Sequence, residues 1–142
     1  MSSFKAFDIA GSGMAAQSVR LNTTASNLAN ADSVSGDPAQ VYKARHPIFE
    51  AVRQGINGSG DAAVRVRGIY ESDAPAAARY EPGNPPANEA GYVLAPNVNV
   101  VEARVNMISS SRTYQNNVEV MNTSKDLLLA TLRLGQSYGF LT

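Results

Sequence analysis

The chain has 142 residues, twelve acidic and twelve basic side chains, and no cysteine. This length suits one domain or two small units. A formal net charge of zero gives no basic patch for nucleic acid or an anionic membrane surface. The absence of cysteine excludes thiolate catalysis, disulfides and Cys-ligated zinc. The apolar runs are too short to span a bilayer, and the first residues lack the basic start and apolar core of a cleavable signal peptide, so we expect neither.

Residues 1–32 carry a helical apolar pattern. Two glycines inside the pattern, Gly11 and Gly13, each cost about 1 kcal/mol relative to alanine in a helix. We therefore expect this helix to form only when it is packed against another element. The apolar stripe of this helix consists of Phe7, Met14, Leu21 and Leu28. Their spacing of seven residues favours left-handed pairing with another helix.

Residues 33–96 predict a small antiparallel unit of roughly four strands. The first strand, at 41–52, is β-branched and aromatic but is interrupted at Pro47. An Asn57-Gly58 pair is a strong signal for a hairpin turn. In the second strand the alternation slips at Gly68, where we expect a bulge. This second strand is predicted at 64–70, and the third and fourth strands are predicted at 79–81 and 91–94.

Residues 97–142 contain the longest predicted helix. The run 97–134 has no proline and no glycine, and it would span roughly 55 Å as one helix. Asn99 followed by Glu102 fits a capping box at the start, and Gly135 is the predicted stop. Apolar residues spaced by seven form a stripe at Met107, Tyr114, Met121 and Leu128, with Val101, Val105, Ile108, Val118 and Leu132 filling positions near it.

These patterns predict an α+β fold. Two long terminal helices form a coiled-coil-like hairpin or tube-wall element, and the small antiparallel β insert lies between them. The stripes permit two arrangements: one antiparallel helix hairpin inside a monomer, or a hairpin whose remaining faces bind neighbouring copies. Small uncharged residues between the stripe positions of the last helix, such as Ser110 and Asn117, would allow close approach on a second face.

The sequence contains no pattern that requires catalysis or a cofactor. His46 is the one histidine, no metal-binding motif occurs, and nothing resembles a nucleophile elbow. The carboxylates of Glu50, Glu71 and Glu81 could meet across strands, where we expect solvated pairing rather than acid–base work. We therefore expect no catalytic, cofactor or metal site, no small-molecule substrate and no nucleic-acid partner.

Three motifs resemble the FlgC family of proximal-rod proteins, within the axial rod and hook proteins of the bacterial flagellum. They are SNLANAD at 26–32, YEPGNP at 80–85, and MISSSRTYQNNV at 107–118. The first motif is shared by axial proteins in general, whereas the other two favour FlgC over its relatives. The resemblance covers nearly the whole chain.

The resemblance implies a structural, non-enzymatic subunit of the proximal rod of the flagellar basal body. Such subunits are exported without a cleaved signal peptide by the flagellar type III export apparatus. They polymerise with themselves and other rod proteins into a helical tube that crosses the periplasm, above a basal-body base protein, and serves as drive shaft and export channel. The helices would form the tube wall, with the last helix facing the channel and the β insert outside.

The predicted subunit interface follows the two helix stripes and the first motif. Its residues are Phe7, Met14, Leu21, Leu28, Asn27, Asn30, Val101, Met107, Ile108, Tyr114, Val118, Met121, Leu128 and Leu132. Two alternatives remain open. The chain could be another axial protein, such as a different proximal-rod subunit. It could instead be a small secreted binding module or hydrolase, in which His46→Ala and Glu50→Ala would abolish an activity.

Overall fold

The computed structural model describes residues 3–53 and 60–139 of the chain. It confirms the α+β class, with two long helices around small antiparallel sheets. The predicted Asn57-Gly58 turn lies outside the described residues. The elements in chain order are α1 (Ser3–Ala29), β1 (Arg45–Arg53), β2 (Ala62–Glu71), β3 (Ala77–Tyr80), β4 (Tyr92–Ala95) and α2 (Val100–Gly139).

The two helices pack against each other in antiparallel orientation. Gly13 of α1 lies against Asn117 of α2, and further along α1 the Arg20 guanidinium donates to Asn106 Oδ1 at 2.8 Å. A Cβ atom at position 13 would lie 2.8 Å from Asn117 Nδ2. The helices therefore come together closely at a point where only glycine fits without displacing a side chain.

The seam between the helices is made of small residues. The buried positions of α2 are Ala103, Ser110 and Ser124, which are spaced by multiples of seven. Ser110 satisfies its hydroxyl by donating to the carbonyl of Asn106 in its own helix, at 2.7 Å. The expectation that the small polar residues of this helix lie on a second face is therefore wrong for Ser110, which is buried, and for Asn117, which lies against Gly13 of α1. Short side chains whose hydroxyls bond within the helix let two backbones approach without leaving unpaired polar groups.

The two predicted stripes lie at the edge of this seam rather than at its centre. Their members are half-buried within the single chain. They are Phe7, Met14, Leu21 and Leu28 on α1, and Met107, Tyr114, Met121 and Leu128 on α2.

One predicted end of α2 is confirmed and the other is wrong. The backbone N–H of Glu102 donates to Asn99 Oδ1 at 3.1 Å, so Asn99 is the N-cap. The predicted stop at Gly135 does not occur, because α2 continues to Gly139. A lone glycine costs a helix about 1 kcal/mol relative to alanine, which does not by itself end a helix.

β1 and β2 form an antiparallel hairpin that lies along α1. β1 runs through Pro47 without interruption, because in a two-stranded sheet it is an edge strand that can lack an N–H. The register shifts between Ile48 and Phe49, so that Arg67 of β2 is the extra residue. The predicted bulge is therefore present, one residue from Gly68.

β3 and β4 form a second two-stranded sheet, so the predicted four strands exist but do not make one sheet. An isolated bridge between Ser35 and Leu94 covers the other edge of β4. Val93, at the centre of this unit, is completely buried. Gly91 precedes β4 with a φ of 84°, a left-handed conformation that favours glycine.

The core of the described chain is thin. Apart from Val93 and Pro96, its buried apolar residues are all alanines. Sixteen large apolar side chains are exposed instead. A globular monomer buries most of its large apolar residues, so this chain leaves an unusual share of its apolar surface uncovered.

Candidate assembly surface

The first exposed apolar surface lies on the face of α2 that points away from α1. Val101, Val105 and Ile108 are spaced by four and three residues, so they share one face of the helix. They lie about half a turn away from the seam positions Ala103 and Ser110. All three side chains are more than half exposed. These residues, predicted to complete the stripe beside Met107, instead form a separate stripe, which we call the outer stripe.

The second exposed surface is the end of α2. Since Gly13 lies opposite Asn117, Ser3 falls level with the region near residue 127. The rest of α2 then extends past the start of α1 by about 18 Å, at 1.5 Å per residue. We call residues 129–139 the overhang, and every one of them is exposed. Leu132 and Leu134 are 63% and 60% exposed, and Tyr138 is also largely open.

A third series joins these two surfaces along the side of α2. Val120, Leu127 and Leu134 are spaced by seven residues, and all are exposed. They are not among the predicted interface residues, although their spacing is visible in the sequence. The signal was missed because the stripe beginning at Met107 already accounted for the helical period.

The structure distributes the fourteen predicted interface residues over different environments. Val101, Ile108 and Leu132 are exposed, whereas Asn27 is buried and its hydrogen bonds lie within the chain. Asn30 is half-buried and donates to the carbonyl of Ser26 in its own helix, at 2.9 Å. The half-buried members are Phe7, Met14, Leu21, Leu28, Met107, Tyr114, Val118, Met121 and Leu128. Their contact with other subunits remains a prediction.

His46 lies in an open cleft of about 240 Å³ between the end of α1, the start of α2 and β1. Its ring is tilted against Tyr70, with the centroids 5.4 Å apart. Within residues 3–53 and 60–139, no hydrogen bond joins His46 to a serine or a carboxylate. Across the same residues, no three acidic or histidine side chains are grouped to hold a metal ion.

The three carboxylates considered for acid–base work each face an arginine. Arg65 Nη2 lies 2.7 Å from Glu50 Oε2, Arg45 Nη2 lies 3.5 Å from Glu71 Oε1, and Arg79 Nε lies 3.9 Å from Glu81 Oε1. All three pairs are solvated, as predicted, and exposed pairs of this kind contribute little stability. In the part of the chain that the structure describes, neither helix combines the length and apolarity needed to cross a bilayer.

Comparison with known proteins gives a consistent result along the chain. A family model described as "Flagella basal body rod protein" matches residues 7–36, and one described as "Flagellar basal body rod FlgEFG protein C-terminal" matches residues 89–134. The flagellar basal-body rod protein FlgC of Salmonella typhimurium is 53% identical over 130 residues, covering 92% of this chain and 96% of the relative. The FlgC proteins of Yersinia enterocolitica and Aquifex aeolicus are 52% identical over 136 residues and 39% identical over 131 residues. These two alignments cover 96% and 92% of this chain, and 100% and 96% of the relatives.

The chain belongs to the FlgC family of flagellar basal-body rod proteins. FlgC relatives align across both helices and the β insert, which favours this family over the alternative of a different proximal-rod subunit. The two family models fall on α1 with the turn after it, and on β4 with α2. The FlgC family is one of structural rod proteins, so membership implies assembly with other rod proteins in the flagellar basal body.

Proposed function

We propose that this FlgC-family chain polymerises through α1 and α2, with copies of itself and other rod proteins, into the tube of the proximal rod. This tube would act as drive shaft and export channel for motility. The single observation that carries the proposal is the overhang, because it is a stretch of helix with several large apolar residues and no covering element within the described chain. A helix end of this kind gains stability when a second molecule covers it.

The free energy available from covering the exposed apolar residues of α2 supports assembly rather than a stable lone monomer. Burying one leucine side chain is worth about 1.5–3 kcal/mol. Covering Leu134 and Tyr138, which share one face of the helix, would therefore supply several kcal/mol for each contact, before the entropic cost of association. The outer stripe lies near the start of α2 and the overhang at its end, so each chain presents apolar surface at two separated places along the helix. A subunit with two separated surfaces can contact two neighbours at once, which a tube requires.

The remaining parts of the proposal rest on family membership. We propose export by the flagellar type III apparatus without a cleaved signal peptide, contact with a base protein beneath the rod, and a rod that crosses the periplasm. We also propose that the predicted interface residues on the two stripes contact neighbouring subunits. Being half-buried within the single chain, these residues have apolar surface left to share.

The test introduces charge into the overhang. Leu132→Asp combined with Leu134→Asp should leave the isolated chain as stable as wild type, because both side chains are mostly exposed in it. The same variant should be absent from purified basal bodies and should not restore swimming to a strain that lacks the gene. Immunoblots of basal bodies, swimming in soft agar and far-UV circular dichroism of the purified chain measure these three properties.

Gln136→Asp combined with Ser137→Asp is the matched control, since it adds the same two negative charges to the same end of α2 at exposed polar positions. It should be incorporated and should support swimming at close to the wild-type level. The proposal fails if the variant with Leu132→Asp and Leu134→Asp enters basal bodies and supports swimming as well as this control does.

A further inference from the structure

The β1–β2 hairpin is held to the helices with very little apolar burial. Within its two strands, which are described in full, Ala63 is the one buried residue. Along its length, the backbone N–H of Val64 donates to Ser12 Oγ of α1 at 3.1 Å. Neither contact lies at the base of the hairpin, where β1 begins and β2 ends. At the base, the buried Ala44 and the hydrogen bonds of two asparagines join the hairpin to the helix pair.

Asn27, near the end of α1, makes the first of these contacts. Its Oδ1 accepts the backbone N–H of Arg45 at 2.9 Å, and its Nδ2 donates to the carbonyl of the same residue at 2.8 Å. The side-chain amide thus pairs with the first residue of β1 as a neighbouring strand would. The Tyr42 hydroxyl also donates to Asn27 Oδ1, at 2.9 Å. Asn27 is only 5% exposed, so water cannot easily replace these bonds.

Asn97, just before α2, makes the second contact, with Ala44, the residue that precedes Arg45. Its Oδ1 accepts the backbone N–H of Ala44 at 2.7 Å. Its Nδ2 donates to the carbonyls of Ser72 and Ala74, at 3.1 Å and 2.7 Å. One amide therefore joins the chain entering β1 to the chain leaving β2. Two consecutive backbone amides, 44 and 45, are held by side chains from the end of α1 and from just before α2, which lie at the same end of the antiparallel helix pair.

We propose that Asn27 and Asn97 form a paired anchor that fixes the orientation of the hairpin on the two helices. Each position needs an acceptor and a donor in one short planar group, which asparagine supplies. Aspartate would keep the acceptor but lose the donors, and alanine would lose both. With the anchor intact, the hairpin and the helix pair move as one body. The anchor lies within a single chain, so this inference does not depend on the proposed polymerisation.

The test measures two distances in the full chain, which has no cysteine and so takes spin labels only where cysteines are introduced. One label pair, at Ala51 of β1 and Arg104 of α2, reports the hairpin orientation. The other, at Asn22 of α1 and Lys125 of α2, reports the helix pair, and all four positions are exposed. Double electron–electron resonance gives the distribution of each distance.

Asn27→Ala and Asn97→Ala should each broaden the Ala51–Arg104 distance distribution about twofold, because the hairpin becomes free to move relative to the helices. Both should leave the Asn22–Lys125 distribution unchanged, because the helix pair stays intact. Hydrogen exchange at amide 45 in the first variant, and at amide 44 in the second, should accelerate about tenfold or more. Asn30→Ala is the control, because its side chain bonds only to Ser26 of its own helix. It should match wild type in both distances.

Two results would overturn the proposal. The first is a hairpin distance that is already broad in wild type, or that neither alanine substitution changes. The second is loss of the helix-pair distance in both alanine variants and also in Asn97→Asp, which keeps the acceptor for Ala44. In that case the asparagines would stabilise the whole fold rather than the orientation of the hairpin.

Discussion

Gly11 and Gly13 stand two residues apart in α1 but face different surroundings. Among the described residues, a Cβ at Gly11 would meet no atom within 4 Å, whereas one at Gly13 would meet Asn117. Alanine is about 1 kcal/mol better than glycine inside a helix. Gly11→Ala should therefore raise the free energy of unfolding by about 1 kcal/mol.

Gly13→Ala brings the same helix preference but displaces a side chain. The new methyl group would sit 2.8 Å from Asn117 Nδ2, so the amide must turn away. Asn117 Nδ2 then gives up its 3.0 Å bond to the carbonyl of Thr113. Since such a bond contributes about 1 kcal/mol, the gain should be cancelled and Gly13→Ala should be neutral or destabilising. In an Asn117→Ala background the obstacle is gone, and Gly13→Ala should stabilise by about 1 kcal/mol.

Urea unfolding of the full chain, followed by circular dichroism at 222 nm, gives these free energies. The wild-type chain, Gly13→Ala, Asn117→Ala and the double variant form a double-mutant cycle. The coupling free energy between positions 13 and 117 in this cycle should be about 1 kcal/mol or more. If Gly13→Ala stabilises the wild-type chain as much as Gly11→Ala does, the close approach of the helices at this point is refuted.

Substitutions at Val93, Asn99 and Gly91, two of them with a control variant, test other parts of the fold by the same unfolding measurement. Val93→Ala truncates a side chain that is 0% exposed and should lower the free energy of unfolding by about 1.5–3 kcal/mol. The control Val101→Ala, at a side chain that is 71% exposed, should change it by less than about 0.5 kcal/mol. Equal effects of the two substitutions would contradict the burial of Val93. Asn99→Ala removes the N-cap of α2 and should cost about 1 kcal/mol, which Asn99→Ser should largely restore. Gly91→Ala places a Cβ at positive φ and 2.8 Å from the Tyr80 ring, so it should cost more than about 1 kcal/mol, and a neutral result would show that this turn can relax.

The helices could be predicted from sequence because their apolar residues repeat over many turns. The N-cap at Asn99 was also predictable, since it depends on one side chain and the next few residues. The continuation through Gly135 was not, because a single glycine neither forms nor prevents a helix, and the outcome depends on the neighbouring turns. Strand positions were close, but the choice of two sheets over one depends on pairings between distant residues, such as Ser35 with Leu94.

The candidate surface was only partly predictable for a related reason. Periodicity shows that Ile108 and Met107 are both apolar on a helix, but it does not show which of them faces α1. The small seam decides this, because Ala103 and Ser110 let the helices meet on their own side and leave Ile108 outside. The role of Asn27 was likewise hidden, since its partner Arg45 follows it only after a long connection.

The unequal length of the two helices gives the molecule a direction. In the proposed rod, a neighbouring copy that covers the bare end of α2 with a patch other than its own bare end makes a head-to-tail contact, with one donating and one receiving patch. Contacts of this unlike kind do not close after two molecules, and unless a rotation completes a ring they propagate as an open-ended filament. A chain truncated after Leu128 would retain the receiving patch but lose the donating one, and it should therefore act as a terminator when mixed with intact copies.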